Sequence, residues 1–517
     1  MGARAIGTDT TTGVLALRPE AEEHADRSRS SRIDRWFGLG AATALAVGTG
    51  MLAVWLMPRG PATTAEAIGW LLAGLLLGLA MGAITGTRWS IVLGAVAFSA
   101  AFELGRAGAY GPTVDAVQLG STYGIIAFVV GRLLTYTLAL LPLALGGLAG
   151  VALAARRQRL GATRLGILGW FGVLGLSACV VGLGLLLLRP ASTPAILSAD
   201  GEPEPGSITE LTSVRLGGHE QALLIRGRSA DAPVFLHLAG GPGGTDLGAM
   251  RADTSLEDDF VVVTWDQRGT GKSYGALDPI DTLTPEQMVA DTIELTEYLR
   301  ERFDEDRIYL HGNSWGSLLG VLAVEARPDL YHAWVGSGQM VSPPGTDRMF
   351  WEDTMAWAEA EGDTGLVATL VENGPPPYAD ILAYEAALSH EHDWNPYPDF
   401  NGDGEMPATL FVPENTLMDQ FNGLRAFLDT FAVLYPRIQE IDLRQEAAQL
   451  EVPVYLLTGG HEARGRSVLA DEWFELLDAP TKERIVFEHS GHRPSFEEPG
   501  RFAEVMRQIR DETYPAS

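Results

Sequence analysis

The sequence predicts two architectures in one chain: an all-α region of membrane-spanning helices, then a mostly parallel α/β sheet with flanking helices and a helical cap. Three observations carry that reading. Charge is split: residues 1–188 hold 14 Arg, no Lys and 9 acidic residues, a net of +5, whereas the remainder holds 23 basic and 57 acidic residues, a net of −34. Long apolar runs are confined to the first part. Short apolar segments bounded by turn residues alternate with helical patterns in the second, which is how a buried parallel sheet reads.

Residues 1–36 are polar and carry Arg27, Arg29, Arg32 and Arg35, and are expected to form a disordered cytoplasmic N-terminus. Residues 37–188 form the expected transmembrane region of about five spans, with apolar runs near 37–57, 65–87, 89–104, 121–154 and 165–188. A span needs about 20 apolar residues. The fourth run is too long for one, so its span is expected at 133–154, with 121–131 interfacial or re-entrant. Glu103, Arg106 and Arg132 read as snorkelling residues near span ends. A second basic cluster, Arg156, Arg157, Arg159 and Arg164, lies between the fourth and fifth runs. Five spans put both clusters in the cytoplasm, as the positive-inside rule asks, and leave the C-terminal domain extracytoplasmic. Six spans would reverse its side.

Residues 189–207, rich in Pro, Ala, Ser and Gly, read as an exposed linker. The α/β core is expected in two parts, 208–339 and 451–517, interrupted by a helical cap at 340–450. Strands are expected near 210–217, 221–226, 234–238, 260–265, 307–311, 333–337, 453–458 and 484–488. Helices are expected at 285–303, where Thr284, Pro285 and Gln287 form an N-terminal capping box, and at 315–326. In the cap, helical patterning falls at 347–361, 378–389 and 415–434.

Chemistry concentrates in four places. Gly312-Asn313-Ser314-Trp315-Gly316 follows a strand and precedes a helix, the context in which G-x-S-x-G forms a nucleophile elbow. The turn lifts the Ser314 hydroxyl above the sheet and aims the helix N-terminus at it. Ala239-Gly240-Gly241-Pro242-Gly243-Gly244 follows another strand. It lacks the Lys-Ser/Thr ending of a phosphate loop, so the amides of Gly241 and Trp315 are the expected oxyanion hole. His492, in Phe487-Glu488-His489-Ser490-Gly491-His492, is the expected base, with His489 structural. Glu462, after the preceding strand, is the expected acid, with Asp471 the fallback. The chain order Ser314, Glu462, His492 is one of the known orders of such triads. His237 and His311 lie on strands and read as satisfied core or edge residues.

On these residues, the chain from about 208 to 517 resembles the α/β-hydrolase superfamily, and within it the prolyl iminopeptidase-like serine peptidases. The match is carried by GGPGG at 240–244, by Trp265-Asp266-Gln267-Arg268-Gly269-Thr270-Gly271-Lys272-Ser273, and by GNSWGS at 312–317. The resemblance implies the α/β-hydrolase fold, an acyl-enzyme, a cap over the site, and removal of N-terminal residues, often proline, from short peptides. It also implies cap carboxylates that hold the substrate amine, for which Glu352, Glu359, Glu361 and Glu385 are available. Asp266 and Arg268 are expected to brace the loop near the oxyanion hole. The chain departs from the family at Ala239, where His is usual, at Glu462, where Asp is usual, and in its membrane region, which the resemblance does not cover.

Other classes fare worse. A pI of 4.7 argues against nucleic-acid binding. The one cysteine, Cys179, excludes an intramolecular disulfide framework and a multi-cysteine zinc site. Asp399-Phe400-Asn401-Gly402-Asp403-Gly404 begins like a calcium loop, but Leu410 stands where a bidentate Glu belongs. His390 and His392 are two apart and diverge on a helix. No cofactor or metal is expected. The expected partners are a small peptide or ester substrate and the lipid bilayer, with the oligomeric state left open. Two other readings stand beside the peptidase: an esterase or lipase, and a non-enzymatic membrane protein with a degenerate hydrolase domain, against which the intact Ser, acid and His argue.

Overall fold

The computed structural model describes residues 20–56, 61–107, 119–157, 167–400 and 408–515, with side chains from residue 36 onward. It separates into two compact units, one of Met1–Leu56, Trp70–Gly105 and Leu138–Val180, the other of Met57–Gly69, Arg106–Thr137 and Val181–Ser517.

Five helices are long and apolar enough to cross a membrane: α1 (Glu20–Leu56), α2 (Thr64–Thr85), α3 (Trp89–Arg106), α4 (Thr122–Arg157) and α5 (Ile167–Leu188). In the first unit α2 and α4 pack through small residues. A Cβ on Gly78 would lie 2.0 Å from the Leu143 carbonyl oxygen, one on Gly82 2.3 Å from that of Gly147, and one on Gly146 2.0 Å from that of Leu75. Gly74, Gly78 and Gly82 recur every fourth residue and so share one helix face, which lets the two backbones touch.

Two expectations fail here. The N-terminal segment to residue 36 is not all irregular, since α1 already begins at Glu20. The fourth run is one continuous 36-residue helix with no re-entrant break at 121–131, and it carries Pro142 inside it. Its first turn is satisfied within the second unit. Glu385 accepts the Ser121 hydroxyl and the amides of Thr122 (2.7 Å) and Tyr123 (3.2 Å), so free N–H groups that would end the helix later are bonded where it starts. Arg132 is buried, its guanidinium 4.9 Å from the Phe128 ring centre.

The second unit holds an eight-stranded sheet: β1 (Ile208–Leu216), β2 (His219–Gly227), β3 (Val234–Leu238), β4 (Val261–Trp265), β5 (Ile308–Asn313), β6 (Tyr331–Ser337), β7 (Val454–Gly459) and β8 (Lys482–Phe487), in the order β1-β2-β4-β3-β5-β6-β7-β8. The first two strands run antiparallel to their neighbours and the rest are parallel. All eight strands lie where the sequence put them, within two residues. Every residue of β3 to β6 is buried, which is why those segments read as unbroken apolar runs. Alternate residues feed two cores. Leu236, Leu310 and Trp334 face one, and Phe235, Tyr309 and Val335 face the other, which Phe502, Met506 and Ile509 of the helix Pro499–Thr513 close.

Helices α6 (Leu247–Ala252), α7 (Pro285–Phe303) and α8 (Trp315–Ala326) follow β3, β4 and β5. Thr284 caps α7 by accepting the Gln287 amide at 3.2 Å, but the box is half-built, because the Gln287 side chain turns to Asp291 at 2.7 Å. The cap opens with α9 (Pro343–Glu361) and includes the helix Leu417–Leu434. The 189–207 segment is not a free tether. Arg189 donates to the Asn415 carbonyl, the Ser192 amide to that of Pro413, and Arg226 to Thr193 and Pro194. The parallel register sets Leu238, Gly312 and Gly336 side by side, and Gly459 beside Phe487. The loops after β3, β5, β6, β7 and β8 therefore leave one edge of the sheet together, at the point where chain order reverses about β3.

Candidate active site

Ser314 sits between β5 and α8 with φ 53° and ψ −118°, a strained conformation for a residue with a side chain. Only glycines fit around it: a Cβ on Gly312 would lie 2.2 Å from the Gly316 carbonyl oxygen, and one on Gly316 2.1 Å from that of Leu238. The Ser314 amide donates to the Ser337 carbonyl at 3.0 Å, and the Ser317 hydroxyl donates to the Ser314 carbonyl at 2.6 Å. Ser314 is thereby bolted to both β6 and the helix behind it.

The glycine loop after β3 lies against this elbow. A Cβ on Gly240 would be 3.3 Å from that of Ser314. Gly241 and Gly243 have φ of 122° and 103°, values that side chains rarely adopt. Gln267 joins the two segments expected to form the oxyanion hole: its amide nitrogen donates to the Ala239 carbonyl at 3.0 Å, and its oxygen accepts the Trp315 indole N–H at 3.0 Å. Asp266 braces the same loop by accepting the Thr245 hydroxyl at 2.5 Å and the Lys272 amide at 2.8 Å. Burial pushes its carboxyl up to about 6 against those bonds. Arg268 does not brace this loop. It is spent on Asp291 and the Gly217 carbonyl, at the antiparallel end of the sheet.

His492 and Glu462 come together as expected, with His492 Nδ1 2.9 Å from Glu462 Oε2. The other carboxylate oxygen accepts the Arg466 Nε–H at 2.7 Å and the Ala463 amide at 3.0 Å. Burial alone would raise the Glu462 carboxyl, but Arg466 and His492 overcome it and hold the group well below the ordinary carboxylate range. The imidazole packs on Gly338, where a Cβ would lie 2.9 Å from Nδ1, one residue past the Ser337 that holds the Ser314 amide. The base loop is itself fixed: the Gly491 amide donates to Glu497 at 2.6 Å, and Gly459 leaves room for the Gly491 carbonyl. His489 is exposed, 3.1 Å from Asp399. Asp471 pairs with Arg484 instead of reaching the imidazole. Among the described residues no cluster of His, Cys, Asp and Glu is arranged to hold a metal ion. The calcium-like loop lies largely at 401–407, outside the described residues.

The family model for serine aminopeptidases of the S33 type matches residues 252–361, which contain the Asp-Gln-Arg-Gly string and the elbow. The globular part of this chain has the α/β-hydrolase fold and is similar to the prolyl iminopeptidase-like hydrolases. It is 27% identical over 319 residues to the probable aminopeptidase YbaC of Bacillus subtilis (strain 168), covering 59% of this chain and 97% of that one. It is 23% identical over 288 residues to a proline iminopeptidase of Lactobacillus delbrueckii subsp. bulgaricus, covering 54% and 91%. Among solved structures, the proline iminopeptidase-related protein of Thermus thermophilus aligns over 60% of this chain and all of that one, at 19% identity and a TM-score of 0.42.

Of the hydrolase's cap carboxylates, Glu352 pairs with Arg464 at 3.2 Å, Glu359 and Glu361 are exposed, and Glu385 caps α4. Asp347, near the start of α9, is a buried one that sequence reasoning passed over. It accepts Tyr435 at 2.6 Å and Gln439 at 3.3 Å, and burial pushes its carboxyl up to about 7 against both bonds. A carboxyl raised in the folded state binds its proton more tightly there, so its contribution to stability falls as pH rises from about 4 towards 7. The Asp347→Asn variant should therefore gain in Tm relative to wild type as pH goes from 5 to 8. A gap that stays constant across that range contradicts it.

Proposed function

We propose that this hydrolase is a membrane-anchored serine aminopeptidase that cleaves N-terminal residues from short peptides through an acyl-enzyme. Ser314 attacks the carbonyl, His492 takes its proton and later returns it to the leaving amine, and Glu462 fixes the imidazole and stabilises its charged form. The amides of Gly241 and Trp315 bind the oxyanion, each contributing on the order of 3 kcal/mol to the transition state. The observation that carries this reading is the conjunction of a strained Ser314 with a His492–Glu462 pair 2.9 Å apart on neighbouring loops of one sheet edge. Peptide over ester is supported by the names of the two relatives above. The positive-inside reading of five spans gives an extracytoplasmic domain.

The test is a panel of aminoacyl and acyl-ester chromogenic substrates on the full chain in detergent, run beside fluorophosphonate labelling. Aminoacyl substrates, proline among them, should turn over fastest. A preference for acyl esters would make the protein an esterase. An intact protein that takes no label would make the domain a non-catalytic one.

A further inference from the structure

A buried polar chain beneath the active site has no part in the chemistry above. Asp246, two residues past Gly244, ends the glycine loop and is 5% exposed. One of its oxygens accepts from Arg493 Nη2 at 2.8 Å, and the other is 2.9 Å from His237 Nε2. His237 is on β3, paired in register with His311 on β5, and their Nδ1 atoms are 2.8 Å apart. His311 precedes Ser314 by three residues, and Arg493 directly follows His492. The Arg493 guanidinium also stacks 4.0 Å above the Phe496 ring, whose edge meets His237. One carboxylate is thus bonded to the residue beside the base and to the strand that carries the glycine loop, and through His237 it reaches the strand that carries the nucleophile.

Burying the Asp246 carboxylate costs several kcal/mol unless it is paired, and apolar residues would fill the space of the His237–His311 pair more cheaply. What the ionic arrangement supplies is direction. Its bonds fix both the distance and the angle between loops that packing alone would leave free to slide. Errors of about 1 Å in such geometry cost on the order of 100-fold in rate.

We propose that Asp246 is a positioning residue, clamping the oxyanion loop to the His492 loop through Arg493 and to the β3–β5 strand ends through His237. The inference rests on the serine-hydrolase reading of Ser314 and His492.

The test is a double-mutant cycle on the full chain in detergent, with Asp246→Asn, Arg493→Gln and the pair, plus Arg493→Lys, which keeps the charge but not the fork. Each is assayed well below its own Tm. Asp246→Asn and Arg493→Gln should each lower kcat by about 10- to 100-fold with KM changed by less than about 2-fold, since the loss lies in the transition state. The double variant should be no slower than the worse single one, because both remove one contact. Arg493→Lys should fall between. The fluorophosphonate labelling rate should drop in parallel. The downfield proton resonance of the His492–Glu462 bond, which needs no turnover, should broaden or vanish in Asp246→Asn. A bracing role without positioning would lower Tm and leave kcat and that resonance unchanged. Unchanged kcat, or losses that multiply in the double variant, overturn the proposal. If wild type takes no label, the serine-hydrolase reading falls and the proposal with it. A labelled wild type with an unaltered Asp246→Asn overturns this proposal alone.

Discussion

Replacing Ser314 by Ala is expected to lower kcat by about 10⁶ and abolish fluorophosphonate labelling, and replacing Glu462 by Gln to lower kcat by about 10⁴. The second value is the more informative, because it depends on geometry that the family pattern does not dictate. Glu462 stands where Asp is usual, and its extra methylene must be accommodated. The structure does so by gripping the far oxygen with Arg466 and the Ala463 amide, leaving the near oxygen 2.9 Å from His492. Gln keeps the shape but presents no charge. It loses the stabilisation of the imidazolium, and its amide group can face Nδ1 and favour the wrong tautomer. It also removes one of the two carboxylates paired with Arg466, leaving Glu391 as the charged partner. Glu462→Asp keeps the charge but shortens the reach, so it should retain more activity than Gln and less than wild type. Steady-state kinetics on the three variants check this. If Glu462→Gln stays within tenfold of wild type, another group orients the base.

Much of this was legible in residues whose type is forced by local geometry. Gly312, Gly316, Gly241 and Gly243 are demanded by close approach or positive φ, so the loops that carry the site announced themselves. The strands did too, because β3 to β6 are buried on both faces. The roles inside the Asp-Gln-Arg-Gly string were less legible. Gln267 bridges Ala239 and Trp315, whereas Arg268, the charged neighbour that drew attention, points to Asp291. Adjacent residues face different ways after a strand end, and no periodicity says which. Asp246 and Asp347 were invisible for a related reason: their partners, Arg493 and Tyr435, come from segments far away in the chain. The spacing of Gly74, Gly78 and Gly82 was a readable signal for tight helix packing that hydropathy alone does not use. Likewise the length of α4 follows from Glu385, a residue more than 260 positions away.

Arg268→Met is expected to destabilise the hydrolase domain by about 3–5 kcal/mol while leaving kcat, measured well below Tm, within about threefold of wild type. Arg268 and Asp291 are both fully buried. Their contact is bidentate, with Nε to Oδ2 at 2.8 Å and Nη2 to Oδ1 at 3.1 Å, and Nη2 also donates to the Gly217 carbonyl at 3.1 Å. Asp291 further accepts from Gln221 on β2 and Gln287 on α7, both at 2.7 Å, and Gln221 in turn accepts the Trp265 indole N–H at 3.1 Å. The network joins the β1–β2 turn, the helix after β4 and the loop that begins the Asp-Gln-Arg-Gly string. Methionine fills the space but leaves the Asp291 charge facing only amides, and the cost of an uncompensated buried carboxylate exceeds that of the lost hydrogen bonds. The paired variant Arg268→Met, Asp291→Leu removes both charges and should recover a large part of the loss, the signature of desolvation rather than of a missing contact. Thermal melts and kinetics on the three proteins decide it. A loss of kcat in Arg268→Met without a loss of Tm would return Arg268 to the oxyanion side of the sheet, where the sequence alone had put it.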